Sequence, residues 1–271
     1  MRTPLIPTLL ATLMAGGVSA ACLPAADAEA VDIFPTAQEL PENLLRFYVY
    51  FPHPMAQQDI LDHIVLIDAT GQSVKGALLR NRYDLWSPDR RRLTLLLDPG
   101  RVKTGLEAHE ALGRALVPGQ RYSLTILGTA LDARGCALDH NAVYSFTVGP
   151  ADLDPPAPGD WDLSVPNAES ADPIVVDLGS PHDHLSLAYR LRVVGADGSV
   201  TPGAIALDDK ESIWRFTPRD PWNAETYTLT VDPRLEDLAG NRPDGLFDRP
   251  VDTAAADWIS AIPFRPGAPQ P

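Results

Sequence analysis

The chain states one pattern twice. "ALDARGCALD" at residues 130–139 and "RLEDLAGNRP" at residues 234–243 both carry Asp, two residues and Gly, and both follow a Tyr-x-Leu-Thr segment, "RYSLTILGT" and "TYTLTVDPR". A repeat of this kind constrains the fold more than any single motif, because each copy must be one structural unit. At a shift of 127, "FYVYFPHPM" lies over "IVVDLGSPH", and "IVLIDATGQSVKGALL" lies over "LRVVGADGSVTPGAIAL". This alignment brings Gly71 to Gly198, Gly76 to Gly203 and Ala77 to Ala204. Trp86 then meets Trp214 at a shift of 128, while Tyr122 meets Tyr227 and Asp132 meets Asp237 at 105. The fall from 128 to 105 puts 23 extra residues in the first copy between its Trp and its Tyr.

Each copy reads as β. "RFYVYF" and "PIVVDL" are rich in β-branched and aromatic residues and run into turns, and "RLTLLLD" and "YTLTVD" suit sheet faces. Thr70-Gly71 and Asp197-Gly198 sit between apolar runs, where Gly supplies the positive φ of a hairpin turn. Short strands with closely spaced turns indicate sandwiches. The expected fold is all-β: two tandem Ig-like β-sandwiches, the first with an enlarged loop insertion. The expected divisions are an export signal over 1–21, domain 1 over 31–149, a Pro/Asp-rich linker over 150–159, and domain 2 over 160–265 with a tail to 271. The linker "GPADLDPPAPGDWD" reads as stiff and exposed, and "DWISAIPF" as the source of a final strand.

The run Phe51-Pro52-His53-Pro54-Met55, the hairpins "LIDATG" and "VVGADG", the Trp region and the closing "DLAGN" resemble the bacterial Ig-like domain named after the S-layer protein SbsA. Both copies carry the resemblance, over most of the chain beyond the export signal. It implies a sandwich used as a building block in exported and cell-envelope proteins, with no catalytic residues to carry over.

A formal charge of -14 excludes nucleic acid as a partner, since phosphates would be repelled. "MRTPLIPTLLATLMAGGVSAACLP" has one Arg, a short apolar run and a small-residue end, the pattern of an export signal. Only Cys22 and Cys136 are available for redox chemistry. Cys22 follows "SAA" in a lipobox-like setting, so either lipidation of Cys22 or a Cys22–Cys136 disulfide is open, and membrane contact is confined to such an anchor.

Candidate binding residues come from the insertion, where Arg101, Lys103 and His109 lie among Gly residues and could recognise a carboxylate, phosphate or acidic glycan. His53, Met55 and His63, or the "PHDH" cluster with His182, Asp183 and His184, are a candidate copper set, and Asp232 and Asp237, with Glu236 and Asn241, a candidate calcium set. No nucleophile elbow, HExxH, phosphate loop or CxxC is present, which points away from an enzyme and from any cofactor. The expected role is therefore an exported, non-catalytic envelope module that binds a protein or glycan partner, in the periplasm or envelope. The alternative is a periplasmic copper- or calcium-binding protein.

Overall fold

A computed structural model describes residues 22, 30–57, 59–80, 85–102, 113–208, 210–247 and 258–268. The first repeat contributes β1 (Asp32–Phe34), β2 (Glu39–Pro41), β3 (Arg46–Tyr50), β4 (Ile64–Asp68), β5 (Leu85–Trp86), β6 (Arg92–Leu96), a single helical turn α1 (Pro99–Val102), β7 (Arg121–Ile126) and β8 (Ala142–Gly149). The second contributes β9 (Asp162–Ser164), β10 (Ile174–Asp177), α2 (His184–Arg190), β11 (Leu191–Val194), β12 (Gly203–Asp208), β13 (Ile213–Pro218), β14 (Tyr227–Val231) and β15 (Ala261–Phe264).

Among the described residues these strands form four sheets, two per repeat. The first repeat packs β1-β3-β6-β5 against β2-β8-β7-β4, and the second packs β9-β10-β13-β12 against β11-β14-β15. Except for the parallel pair β2 and β8, neighbouring strands are antiparallel. The sheet orders superpose strand for strand, with β2 as the one addition in the first copy. This is a tandem of Ig-like β-sandwiches, as the strand pattern implies.

Alternation along the central strands builds the cores. Phe47 and Val49 of β3 and Leu93 and Leu95 of β6 face Leu66, Leu124 and Phe146 in the first core. Ile174, Val176, Trp214 and Phe216 face Val193, Leu229 and Phe264 in the second. Each such side chain contributes about 1.5–3 kcal/mol by leaving water. The Trp214 indole, buried in the second core, donates to the Leu187 carbonyl at 3.1 Å, which fastens α2 to the sheet beneath it.

The repeated turns are physically the same. Gly71 and Gly198 have φ of 82° and 80°, each donating its amide three residues back, to Asp68 and Gly195. Tyr122 and Tyr227 each accept a backbone amide from just upstream, Val117 at 3.2 Å and Asn223 at 3.1 Å. Asp132 Oδ1 accepts the amides of Arg134 and Cys136, and Asp237 Oδ1 those of Ala239 and Asn241. Gly135 and Gly240 follow at φ of 80° and 79°. The Asp-x-x-Gly segment is thus a carboxylate-organised turn that needs Gly for its left-handed residue.

One pairing is corrected. Leu93 and Trp214 hold the same register, opposite Val49 and Val176, so Trp214 corresponds to Leu93 and not to Trp86, which lies in the edge strand β5. A shared indole is a weaker guide than position in the sheet. The surplus length of the first copy is therefore split, part of it before β6 and part between β6 and β7, where α1 lies.

The linker is exposed at Leu153, Asp154, Pro155, Ala157 and Gly159, but two of its prolines are not. Pro156 and Pro158 are buried. The Asp152 carbonyl accepts from Asn43 at 2.8 Å and from Asn241 at 3.1 Å, so one peptide unit is held by both repeats. The segment "DWISAIPF" does supply a final strand, β15, paired with β14.

Candidate functional site

β3 is the strand on which the site is built. Its odd positions, Phe47 and Val49, fill the core, so period two turns Arg46, Tyr48 and Tyr50 to the opposite face of the sheet. Arg92 of β6 lies directly across from Tyr50 and joins that face. In an isolated sandwich this face would meet water. Here Tyr48 is only 2% exposed, because α2 and the turns of the second repeat cover it.

The cover is polar and specific. Asp183, the N-cap of α2, accepts the Ser186 amide at 2.8 Å and the Tyr48 hydroxyl at 2.9 Å. Arg46 pairs with Glu236 and lies 3.7 Å from Asp183. Glu236 also binds Arg242 at 2.6 Å. At the other side of the seam Glu211, 3% exposed, accepts both the amide (2.9 Å) and the hydroxyl (3.1 Å) of Thr36. Lys210 and Glu211 both sit at φ of 62°, a conformation that costs non-glycine residues energy and that turns Glu211 toward the first repeat. The His184 ring lies against Phe34, centroids 3.8 Å apart.

The DLAGN turn completes the junction. The Leu238 carbonyl accepts the Leu45 amide at 2.9 Å, and its side chain belongs to the core of the first sandwich. A Cβ on Gly240 would stand 2.6 Å from Leu45, so Gly is required there by proximity as well as by φ. In the first copy the same turn is exposed at Ala133, Arg134 and Gly135 and carries the buried Cys136, which forms a disulfide with Cys22 across a Cα separation of 5.3 Å.

Burial governs the electrostatics. It pulls the Arg46 guanidinium down, but Asp183, Tyr48 and Glu236 together outweigh it, so Arg46 is held well above its ordinary value. Burial, reinforced by Asp183, pushes Tyr48 far up, and burial raises Asp183 against the opposing pull of Arg46. His182 is driven down to about 4 by burial. It occupies the position of Met55: His182 bridges Asp237 as Met55 bridges Asp132. The two Asp turns diverge as well. Burial, together with the nearby Asp152, pushes Asp237 up to about 7, whereas burial of Asp132 is outweighed by hydrogen bonds from Cys136 and Arg134, which hold it low.

Beside this network lies a cleft of about 380 Å³ at the seam, reached by Arg46, Arg92, Arg190, Arg234 and Arg242. Asp183 and Glu236 also line it, and Asp232, just behind, pairs with Arg190 and Arg234. Arg46 Nε and Arg92 Nε are buried there and, among the described residues, have no hydrogen-bond partner.

The residues expected from sequence to bind ligands fall elsewhere. Arg101 is 7% exposed and donates to the carbonyls of Gly113, Lys75 and Arg114, so its guanidinium is spent on holding the base of the insertion. Lys103 and His109 lie outside the described residues, as does the export signal. Met55 is a core residue at 1% exposure, His53 is exposed, and His63 Nδ1 is 2.9 Å from the Thr129 hydroxyl. Asp232 is engaged by two arginines and Asp237 by its own turn. Among the described residues no three His, Cys, Asp or Glu are grouped to hold a metal ion. The metal reading is not favoured. Of the residues that do converge, Asp183 and Glu236 fall in the metal sets expected from sequence, but here they bind Arg46, Tyr48 and Arg242; the outward Arg-x-Tyr-x-Tyr pattern of β3 reads as a solvent face, so sequence alone does not bring Arg46 and Tyr48 to them.

No protein-family model matches the chain, and no curated protein matches it. Among solved structures the chain is similar to native Escherichia coli alpha-2-macroglobulin spanning domains MG0-NIE-MG1, at 12% identity and TM-score 0.28, covering 88% of this chain and 70% of that one. It is similar at the same identity and TM-score to the native conformation of the E. coli protein seen by cryo-EM, covering 75% of this chain and 13% of that one. The N-terminal Ig1-2 module of the Drosophila receptor protein tyrosine phosphatase DLAR follows at 13% identity and TM-score 0.24, covering 77% and 93%. The assignment as two tandem Ig-like sandwiches rests on the chain's own sheet order and register.

Proposed function

We propose that the chain is an exported, non-catalytic envelope module of the SbsA-type Ig-like kind, whose two sandwiches act as one rigid body that presents a binding surface to an envelope partner. The observation that carries this reading is the seam. Leu238 of the second repeat sits in the first core, and an Arg46–Glu236–Arg242 network, buried at Glu236 and open to solvent at Arg242, closes the seam together with the buried Tyr48 and Asp183. Buried ion pairs add little net stability compared with apolar packing, but they penalise any other docking angle, because each misplaced charge would be left unpaired. Two domains joined by a mere tether would need neither feature.

Export is supported by the signal-like N-terminus and by the Cys22–Cys136 bridge, which belongs in an oxidising compartment. A sulfur bonded to Cys136 has no valence for a thioether, so this reading is of a protein without a Cys22 lipid. Cell fractionation followed by intact mass with and without reductant tests it. Recovery outside the cytoplasm, with two hydrogens gained on reduction, is the expected result. A cytoplasmic location, or a diacylglyceryl-sized increment on Cys22, overturns the corresponding part. Small-angle scattering tests the rigid body: a profile that fits a single interdomain arrangement is expected, and one that requires a swinging pair overturns it.

A further inference from the structure

Five arginines around one small cleft are unusual in a chain with a formal charge of -14. Their own carboxylates do not balance them, since Asp183, Glu236 and Asp232 face Arg46, Arg92, Arg190, Arg234 and Arg242. Among the described residues Arg92 forms no ion pair with a carboxylate, and its partner across the strands is Tyr50. Its Nε and that of Arg46 are buried donors with no acceptor among the described residues, which is costly unless an acceptor arrives from outside. At the rim Tyr189, in the last turn of α2, is 58% exposed. Guanidinium forks match the geometry of a carboxylate or phosphate, and an exposed aromatic face suits the apolar side of a sugar ring.

We propose that this interdomain cleft binds an acidic saccharide, its anionic group received by Arg92 and Arg46 and its ring laid against Tyr189. The proposal rests on the reading of the chain as a binding module and names the chemistry of its partner. Because both repeats supply the arginines, the site exists only while the seam is closed. Rigidity and recognition are then one property.

Calorimetric titration of the purified, disulfide-intact chain at low ionic strength tests this, with trigalacturonic acid as the acidic probe, maltotriose as its neutral counterpart and inorganic phosphate as the bare anion. The expected result is binding of trigalacturonic acid that weakens with added salt, no heat from maltotriose, and weaker binding of phosphate. Arg92→Gln should lower affinity on the order of tenfold and Tyr189→Ala by about threefold, whereas Arg80→Gln, on an exposed side chain outside the cleft, should leave it unchanged. Should Arg92→Gln fail to fold, Arg234→Gln, 63% exposed at its side chain, serves in its place. Absence of heat with all three probes, or unchanged affinity in the cleft variants, overturns the site. Phosphate binding as tightly as the trisaccharide, with Tyr189→Ala silent, overturns the saccharide. Scattering on the same sample separates these outcomes from failure of the rigid-module reading.

Discussion

The Tyr48 hydroxyl donates to the Asp183 carboxylate across the seam, at 2.9 and 3.1 Å to its two oxygens, with both residues almost fully buried. One partner comes from the first sandwich and the other caps a helix of the second. Removing the hydroxyl leaves a buried carboxylate short of a donor. Tyr48→Phe should therefore cost about 1.5–3 kcal/mol, read from the midpoint of urea unfolding. A cost below a few tenths would mean that the seam opens freely to water.

The DLAGN turn links the stability of the two repeats. Leu238→Ala removes a side chain from the core of the first sandwich and should destabilise by about 2–5 kcal/mol. Gly240→Ala places a methyl group against Leu45 at a residue with positive φ and should also destabilise. In each variant, hydrogen exchange should rise around Leu45 and Leu97, in the repeat that was not mutated. Protection lost only in the second repeat would contradict the plug.

His182 confers a pH dependence with a definite sign. Its folded-state value is depressed to about 4, so between there and the ordinary value of about 6.5 the unfolded chain binds more protons. The stabilisation is complete above the ordinary value and is lost as pH falls toward 4, up to about 3 kcal/mol. Asp237, raised to about 7, acts in the opposite sense, contributing stability at low pH that is lost as pH rises through 7. His182→Met, which copies the residue at the equivalent position of the first repeat, should abolish the acid-side loss. Thermal melts across pH 4 to 7 would then slope in the direction set by Asp237, and an unchanged profile would exclude His182 as the source.

Arg101 should behave as a structural residue. Its guanidinium holds three backbone carbonyls, so Arg101→Gln should lower stability by about 3 kcal/mol and leave titration with trigalacturonic acid unaltered. Loss of binding without loss of stability would return the insertion to the list of ligand sites.

Much of the scaffold was legible because turns are local. Gly71 and Gly198, Tyr122 and Tyr227, and Asp132 and Asp237 each do the same job in both copies, and the sequence alignment pairs all six correctly. Trp86 against Trp214 failed because strand register depends on pairing partners distant in sequence. The seam was not legible at all. Alternation along "RFYVYF" tells which residues leave the core, but not whether water or another domain receives them. Likewise the Leu of "DLAGN" reads as part of its own turn, and nothing local assigns it to another core.

That displaced leucine sets an order of events during folding. Domains tend to fold as they emerge, the N-terminal one first. Here the first sandwich finishes its strands at Gly149, yet one of its core side chains, Leu238, is among the last parts of the second repeat to appear. Until then a gap beside Leu45 stays open. The earlier half of the chain reaches its final packing only when the later half is nearly complete, so both sandwiches mature together at the end.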